Sequence, residues 1–357
     1  MRSRLSVDLG RIGRNYRFLE SAYRGKRLTA VVKADAYGLG ADRVARTLYE
    51  AGCRSFAVAT AEEGVKLRAA LCDCEILVLG YVPPEDATAL ARSGIVVSVE
   101  DYEHYLSLSD KSVSVAVAVN VGMNRFGLDA KDFERTLAQI CEIDKKSRLT
   151  SVYAHFSYHA EDGEKYLREV NTFRALVSRL KKRTQVPVSV PMSAADAVDM
   201  PFDTVRAGIS LYGLTYDPSI KPREGLLPAA AFYAQVALVR TIERGERVGY
   251  GGEFVAQRRS RIAVVSVGYA DGLDRRLTGA EVLIRGGRAR IVGRICMDVF
   301  FVDVTEIKNV AVGDEVMIFG DELPLSALSA RAKTIDHELI SRIGKRVPRI
   351  YSGSGLF

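Results

Sequence analysis

The chain has 357 residues, 48% of them hydrophobic, and a mean hydropathy near zero, enough apolar content for one large or two moderate domains. A formal charge of +7 comes from 51 Lys and Arg against 44 Asp and Glu. The basic residues are interleaved with acidic ones and clustered only briefly, at 181–183 and 258–259, and no nucleic-acid motif accompanies them, so nucleic acid is excluded as a partner. No apolar run reaches bilayer length, and the basic start at 1–5 lacks the apolar stretch of a signal peptide. A cytoplasmic location is expected, with the chain standing alone or as the soluble part of a larger membrane protein.

In chain order, β-branched runs at 29–32, 56–59, 76–79, 95–99, 113–119, 152–155, 186–190 and 204–207 read as strands. Between them, apolar residues at three- and four-residue spacing predict helices, notably over 41–51, 61–70, 132–140 and 163–182. Eight strands alternating with helices predict an α/β fold of the (β/α)8 TIM-type barrel kind, with a doubly wound open sheet as the alternative. A proline-rich connector over 217–228 then reads as a domain junction. Beyond it, strand patterns at 234–242, 261–267, 280–284, 289–292, 299–304 and 315–318 are separated by Gly-rich turns, the texture of a mainly antiparallel β domain. A last helix is expected over about 325–343. The domains are therefore drawn as 8–216 for the barrel and 217–357, with 1–7, for the β domain.

Functional groups of such a barrel sit at the C-terminal ends of its strands. Lys33 ends the first strand, where loss of solvation lowers an amine pKa and makes it a Schiff-base nucleophile; a solvated strand end is the plainer reading. Thr204-Val205-Arg206-Ala207-Gly208-Ile209 ends the last strand, and the turn that follows offers backbone N–H groups to a phosphate. Ser193 and Gly122-Met123-Asn124-Arg125 fall at further loop ends. The five cysteines (Cys53, Cys72, Cys74, Cys141 and Cys296) are odd in number and scattered. They read as reduced thiols with no metal site.

Taken together, Lys33-Ala34-Asp35-Ala36-Tyr37-Gly38, the Arg206 segment, Arg247-Val248-Gly249-Tyr250-Gly251, Val267-Gly268-Tyr269-Ala270-Asp271-Gly272 and Gly293-Arg294-Ile295-Cys296-Met297-Asp298 resemble the alanine racemase family of fold-type-III pyridoxal enzymes. The resemblance runs through nearly the whole chain. It implies pyridoxal 5'-phosphate as cofactor, covalently held by Lys33, with Tyr37, Ser193, Gly208 and Ile209 at its phosphate. It also implies Arg206 facing the pyridine nitrogen and His155 beside the ring. Tyr250 becomes the base for the L-enantiomer and Lys33 the base for the D-enantiomer. Arg125 supplies positive charge to the tyrosine and the substrate, the Met297 amide meets the substrate carboxylate, and Tyr269 lines the entrance. A homodimer with shared active sites is implied as well, along with D-alanine supply to a cell wall.

Several positions depart from the family pattern. The lysine that many members carbamylate is Ala118, leaving Asn120, a bound anion or water to orient Arg125. A histidine before Ser193 is lost in Ser189-Val190-Pro191-Met192-Ser193. A tyrosine that reaches the phosphate is replaced by His337, which leaves more room and a hydrogen-bonding rim, so serine competes with alanine as the amino-acid substrate. A fold-type-III decarboxylase would place an acid where Arg206 stands. A non-catalytic pyridoxal-phosphate carrier would lack the second domain and Tyr250.

Overall fold

The computed structural model describes residues 1–143, 148–157, 163–182, 184–192, 201–218 and 222–353. The chain divides into two units, one of Tyr16–Ala36 and Leu48–Gly208, the other of Met1–Asn15, Tyr37–Thr47 and Ile209–Phe357.

In the first unit, runs rich in Val, Ile and Ala form eight parallel strands: Arg27–Val31, Ser55–Val58, Glu75–Val78, Ile95–Val99, Ser114–Asn120, Arg148–Ala154, Val188–Pro191 and Thr204–Ala207. Each pairs with the next, and the eighth returns to the first with Thr204 opposite Arg27. These eight strands close into a ring, so this is the (β/α)8 barrel and not the doubly wound alternative. Alternate residues point inward: Val31, Ala57, Leu77, Val96, Ala116, Ala118 and Tyr153 fill the centre as one buried cluster. The helix Ala61–Ala70 starts where its sequence says it should. Thr60 accepts from the Glu63 N–H at 3.3 Å, and the Glu63 carboxylate accepts from the Ala59 N–H at 2.8 Å.

Small shifts from the expected bounds have local causes. The strand expected from 186 begins at Val188, because Pro187 has no N–H to give to a ladder; its carbonyl still accepts from the Val152 N–H at 2.9 Å. His155 lies one residue past its strand.

In the second unit, Ser260–Val265, Phe300–Asp303, Gly287–Val292, Glu281–Ile284, Glu315–Phe319 and Ala230–Ile242 follow one another in antiparallel pairing, and the last closes back on the first. The strand Ser3–Asp8 joins this sheet, with Leu5 antiparallel to Phe232 and parallel to Arg349 on Arg349–Ser352. The helix expected over 325–343 is two helices, Leu325–Arg331 and Asp336–Ser341. Lys333 turns left-handed at φ 52°, and the Thr334 N–H bonds back to the Ser329 carbonyl at 2.9 Å, a helix stop that hydrophobic spacing alone conceals.

Candidate active site

The barrel strand Arg27–Val31 delivers Lys33 to the barrel's C-terminal end, where the chain does something unusual. Ala34, Asp35, Ala36 and Tyr37 all have φ between 53° and 57°, one turn of left-handed helix built without glycine. Each such residue costs roughly 1–2 kcal/mol, so the turn persists only because it is held. The Ala36 N–H bonds the Val32 carbonyl at 2.9 Å, and the Ala34 N–H bonds Glu63 Oε1 at 2.7 Å. Glu63 thus serves two ends at once, its own helix start and the lysine turn. The Lys33 amine is half-buried, and its pKa is lowered first by burial and then by the charge of Arg125, against an opposing pull from Glu63. A lowered amine pKa raises the fraction of neutral nucleophile at working pH.

Arg206 is buried on the last barrel strand. Its Nη1 donates to Ser189 Oγ at 2.9 Å, its Nη2 donates to the Ala154 carbonyl at 2.5 Å, and its guanidinium carbon lies 4.9 Å from the centre of the Tyr153 ring. Burial pulls its pKa down to about 10, which still leaves it charged at neutral pH and unable to accept a proton. Ser189 now occupies the hydrogen-bonding position beside this arginine. His155 follows Ala154 and is exposed.

Arg125 sits on the loop after Ser114–Asn120, and Asn120 shapes that loop. Its amide nitrogen donates to Asn124 Oδ1 at 3.1 Å and Asp129 Oδ1 at 3.0 Å; its Oδ1 accepts from the N–H groups of Gly122 at 3.2 Å and Asn124 at 3.0 Å. These four bonds use every donor and acceptor site of the amide, so Asn120 has nothing left to offer Arg125. Gly127 closes the loop at φ 113°, where a Cβ would lie 2.7 Å from the Asn120 nitrogen. The Arg125 side chain is exposed, and its charge reaches Lys33, Glu100, Tyr153 and Arg206. Glu100 is a buried acid outside the expected set, and its signal in the sequence is its place two residues beyond Ser98 on the inward face of a barrel strand.

The second unit holds the other expected groups. Tyr37 is buried with its ring 5.3 Å from that of Tyr212 and 5.6 Å from that of His337, and burial pushes its pKa up to about 12. It therefore stays a neutral hydroxyl able to donate. His337 lies on Asp336–Ser341, half-buried. Ile209 is buried and opens the 3-10 turn Ile209–Tyr212, directly after Gly208. Tyr250 opens the turn Tyr250–Gly252, and its ring is 72% exposed. Tyr269 and Met297 are brought together by backbone: the Tyr269 N–H bonds the Cys296 carbonyl and the Ala270 N–H bonds the Met297 carbonyl, both at 3.0 Å. Gly268 permits that approach, since a Cβ there would lie 2.3 Å from the Met297 oxygen. Asp271 anchors the same turn, accepting from the Gly268 N–H at 3.0 Å and pairing with Arg2 at 2.5 Å. Ser193 lies outside the described residues.

Within the barrel, then, Lys33, Arg125 and Arg206 share one electrostatic neighbourhood. In the other unit, Tyr37 meets His337 and Tyr269 meets Met297. In the barrel, an amine of lowered pKa under the charge of Arg125 suits a carbonyl group; in the other unit, a neutral buried tyrosine hydroxyl beside an imidazole suits a phosphate.

Comparison with known proteins agrees with this chemistry. Family models described as alanine racemase, N-terminal domain, and alanine racemase, C-terminal domain, match residues 7–216 and 229–351. The chain is 34% identical to alanine racemase 1 of Caldanaerobacter subterraneus subsp. tengcongensis, over 99% of this chain and 96% of that protein. It is 36% identical to alanine racemase of Symbiobacterium thermophilum, over 97% and 96% respectively. Among solved structures, alanine racemase from Bartonella henselae with covalently bound pyridoxal phosphate superposes with a TM-score of 0.89 at 32% identity, covering 99% of this chain and 100% of that one. Alanine racemase from D-cycloserine-producing Streptomyces lavendulae gives a TM-score of 0.91 at 31% identity, covering 99% and 98%.

Proposed function

This chain belongs to the alanine racemase family, and on that premise we propose that it interconverts L- and D-alanine with pyridoxal 5'-phosphate, using Lys33 and Tyr250 as two bases. The observation that carries the reading is the Lys33 amine, held on a left-handed turn with its pKa lowered by burial and by Arg125.

When bound, the cofactor supplies an electron-withdrawing ring that acidifies the Cα–H of the amino acid. The residues do the rest. Lys33 would hold the cofactor, and its amine, when free, moves a proton on one face of Cα. Tyr250 moves a proton on the other face, which requires positive charge near its phenol, and Arg125 supplies it. Arg206 cannot give or take a proton at the pyridine nitrogen, so it limits how far negative charge spreads from Cα and discourages side reactions. Tyr37, Ser193, Gly208, Ile209 and His337 would hold the phosphate, and His155 would stand beside the ring. The Met297 amide receives the substrate carboxylate, and Tyr269 lines the entrance.

The barrel domain, 8–216, binds the cofactor, and 217–357 with 1–7 contributes the tyrosine. Two copies share their sites in a homodimer; this is supported by the exposure of Tyr250 at 72%, Met297 at 52% and Tyr269 at 43%, high values for side chains with catalytic and substrate roles. The five cysteines are all free, which accords with a cytoplasmic setting, and no helix among the described residues is long and apolar enough to cross a membrane. D-alanine for a cell wall is the corresponding product.

The test is conversion of each alanine enantiomer by the purified protein with added cofactor, beside Lys33→Ala. Wild type should racemise in both directions. Lys33→Ala should lose both directions and lose the visible absorption of lysine-bound cofactor. A Lys33→Ala protein that still yields a borohydride-stable cofactor adduct would assign the attachment to another lysine.

A further inference from the structure

We infer that Glu100 is a positioning residue: a buried carboxylate that orients Arg125 toward the substrate carboxylate. This rests on Arg125 being the substrate-facing cation of the proposed racemase.

The placement follows from the barrel's alternation. Val96 lies in the interior cluster, and Ser98 meets the inward-facing Tyr153 hydroxyl at 2.6 Å. Glu100 comes two residues later and continues the same face. It is 7% exposed, and neither carboxylate oxygen has a hydrogen bond of good geometry, although the nearby Ser98 hydroxyl helps hold its pKa down. Its backbone is clamped on both sides. The N–H donates to His104 Nδ1 at 3.3 Å; the carbonyl accepts from the Gly127 N–H at 2.7 Å. His104 is fit for that role because its Nε2 lies 2.9 Å from the Val82 carbonyl. A carbonyl can only accept, so the ring proton sits on Nε2 and Nδ1 is free to accept. The second clamp matters more, since Gly127 ends the loop that carries Arg125. Glu100 and that loop are one hydrogen-bonded unit.

The neighbouring strand leaves the position to Glu100. Val99 pairs with Val117, which puts Glu100 beside Ala118, whose side chain is a methyl. Asn120, the other polar group at that strand end, is saturated by its own loop. The charges that bear on the Glu100 carboxylate are Arg125, which stabilises its ionised form, and Asp101, which opposes it. A buried carboxylate is costly unless a cation answers it, and the charge of Arg125 offsets part of that cost.

The test uses the holoenzyme at pH 8.5, where Glu100 is ionised, and two readouts, KM and kcat for both alanine enantiomers and the Kd of propionate, a carboxylate without an amine that needs no turnover. Glu100→Gln keeps shape and removes charge. It should weaken propionate binding and raise KM about tenfold, a mid-range value for directly coupled groups, with cofactor absorption retained. In an Arg125→Ala background the same change should do nothing. Glu100→Asp, which keeps the charge on a shorter arm, should lose less than Glu100→Gln. Glu100→Gln with wild-type propionate Kd and KM overturns the inference. So does an equal loss in the Arg125→Ala background, or a Glu100→Asp protein that binds propionate worse than Glu100→Gln, since shape and not charge would then be at work. A wild type that binds propionate with the expected coupling yet leaves alanine unracemised would sink the proposed function and not this one.

Discussion

Replacing Glu100 by glutamine should stabilise the protein at high pH and not at low pH. Burial raises this carboxyl from its ordinary 4.5 to about 7, with Ser98 and Arg125 pulling it down and Asp101 pushing it up. At pH 4 and below it is protonated whether the chain is folded or unfolded, and it contributes no penalty. Between 4.5 and 7 the unfolded chain releases the proton while the folded one keeps it, so stability falls as pH rises. Above 7 both forms are ionised and the loss levels off at about 3 kcal/mol. Glutamine cannot ionise, so any fixed cost of its buried amide is the same at every pH. The difference in stability between Glu100→Gln and wild type should therefore move in the variant's favour by about 3 kcal/mol from pH 4.5 to pH 8.5. In a barrel of this size that corresponds to roughly 6–12 °C in Tm. Scanning calorimetry of both holoproteins at pH 4.5, 6, 7 and 8.5, at one ionic strength, measures it. A Tm difference that stays flat across that range would refute the reasoning, because it would mean Glu100 ionises in the folded protein as readily as in water.

Three further outcomes follow from the site. Tyr250→Phe should keep the cofactor spectrum and slow Cα–H exchange from L-alanine by roughly 10²–10⁴-fold, and Cα–H exchange from L-alanine at the wild-type rate would remove Tyr250 from the mechanism. Mixed with Lys33→Ala after dissociation and reassociation it should regain activity, since a hybrid dimer with shared sites contains one site with both bases. Mixtures that remain as inactive as their parents would argue for sites confined to one chain. His337→Tyr should shift the serine-to-alanine ratio of kcat/KM toward alanine by about tenfold, the value of satisfying one buried hydroxyl. An unchanged ratio would leave His337 as a phosphate anchor alone.

Much of this protein is legible in its sequence because the signals are local. Inward-facing Val and Ala at period two, followed by amphipathic helical spacing, specify barrel strands wherever they lie in the chain. Lys33-Ala34-Asp35-Ala36-Tyr37-Gly38 and the Tyr250, Tyr269 and Met297 segments carry the resemblance as contiguous words. What the sequence could not show depends on contacts between residues far apart. The left-handed turn at 34–37 exists because Glu63, on another barrel segment, holds the Ala34 amide. Ser3–Asp8 is a strand only because Ala230–Ile242 and Arg349–Ser352 flank it. Glu100 reads in the sequence as an ordinary acid at a loop start. Only closure of the barrel removes its water, sets it beside the methyl of Ala118 and ties its carbonyl to Gly127 on the Arg125 loop. Chain pattern decides which residues turn inward, but desolvation and charge pairing are properties of three-dimensional neighbourhoods, and those the tertiary structure alone decides.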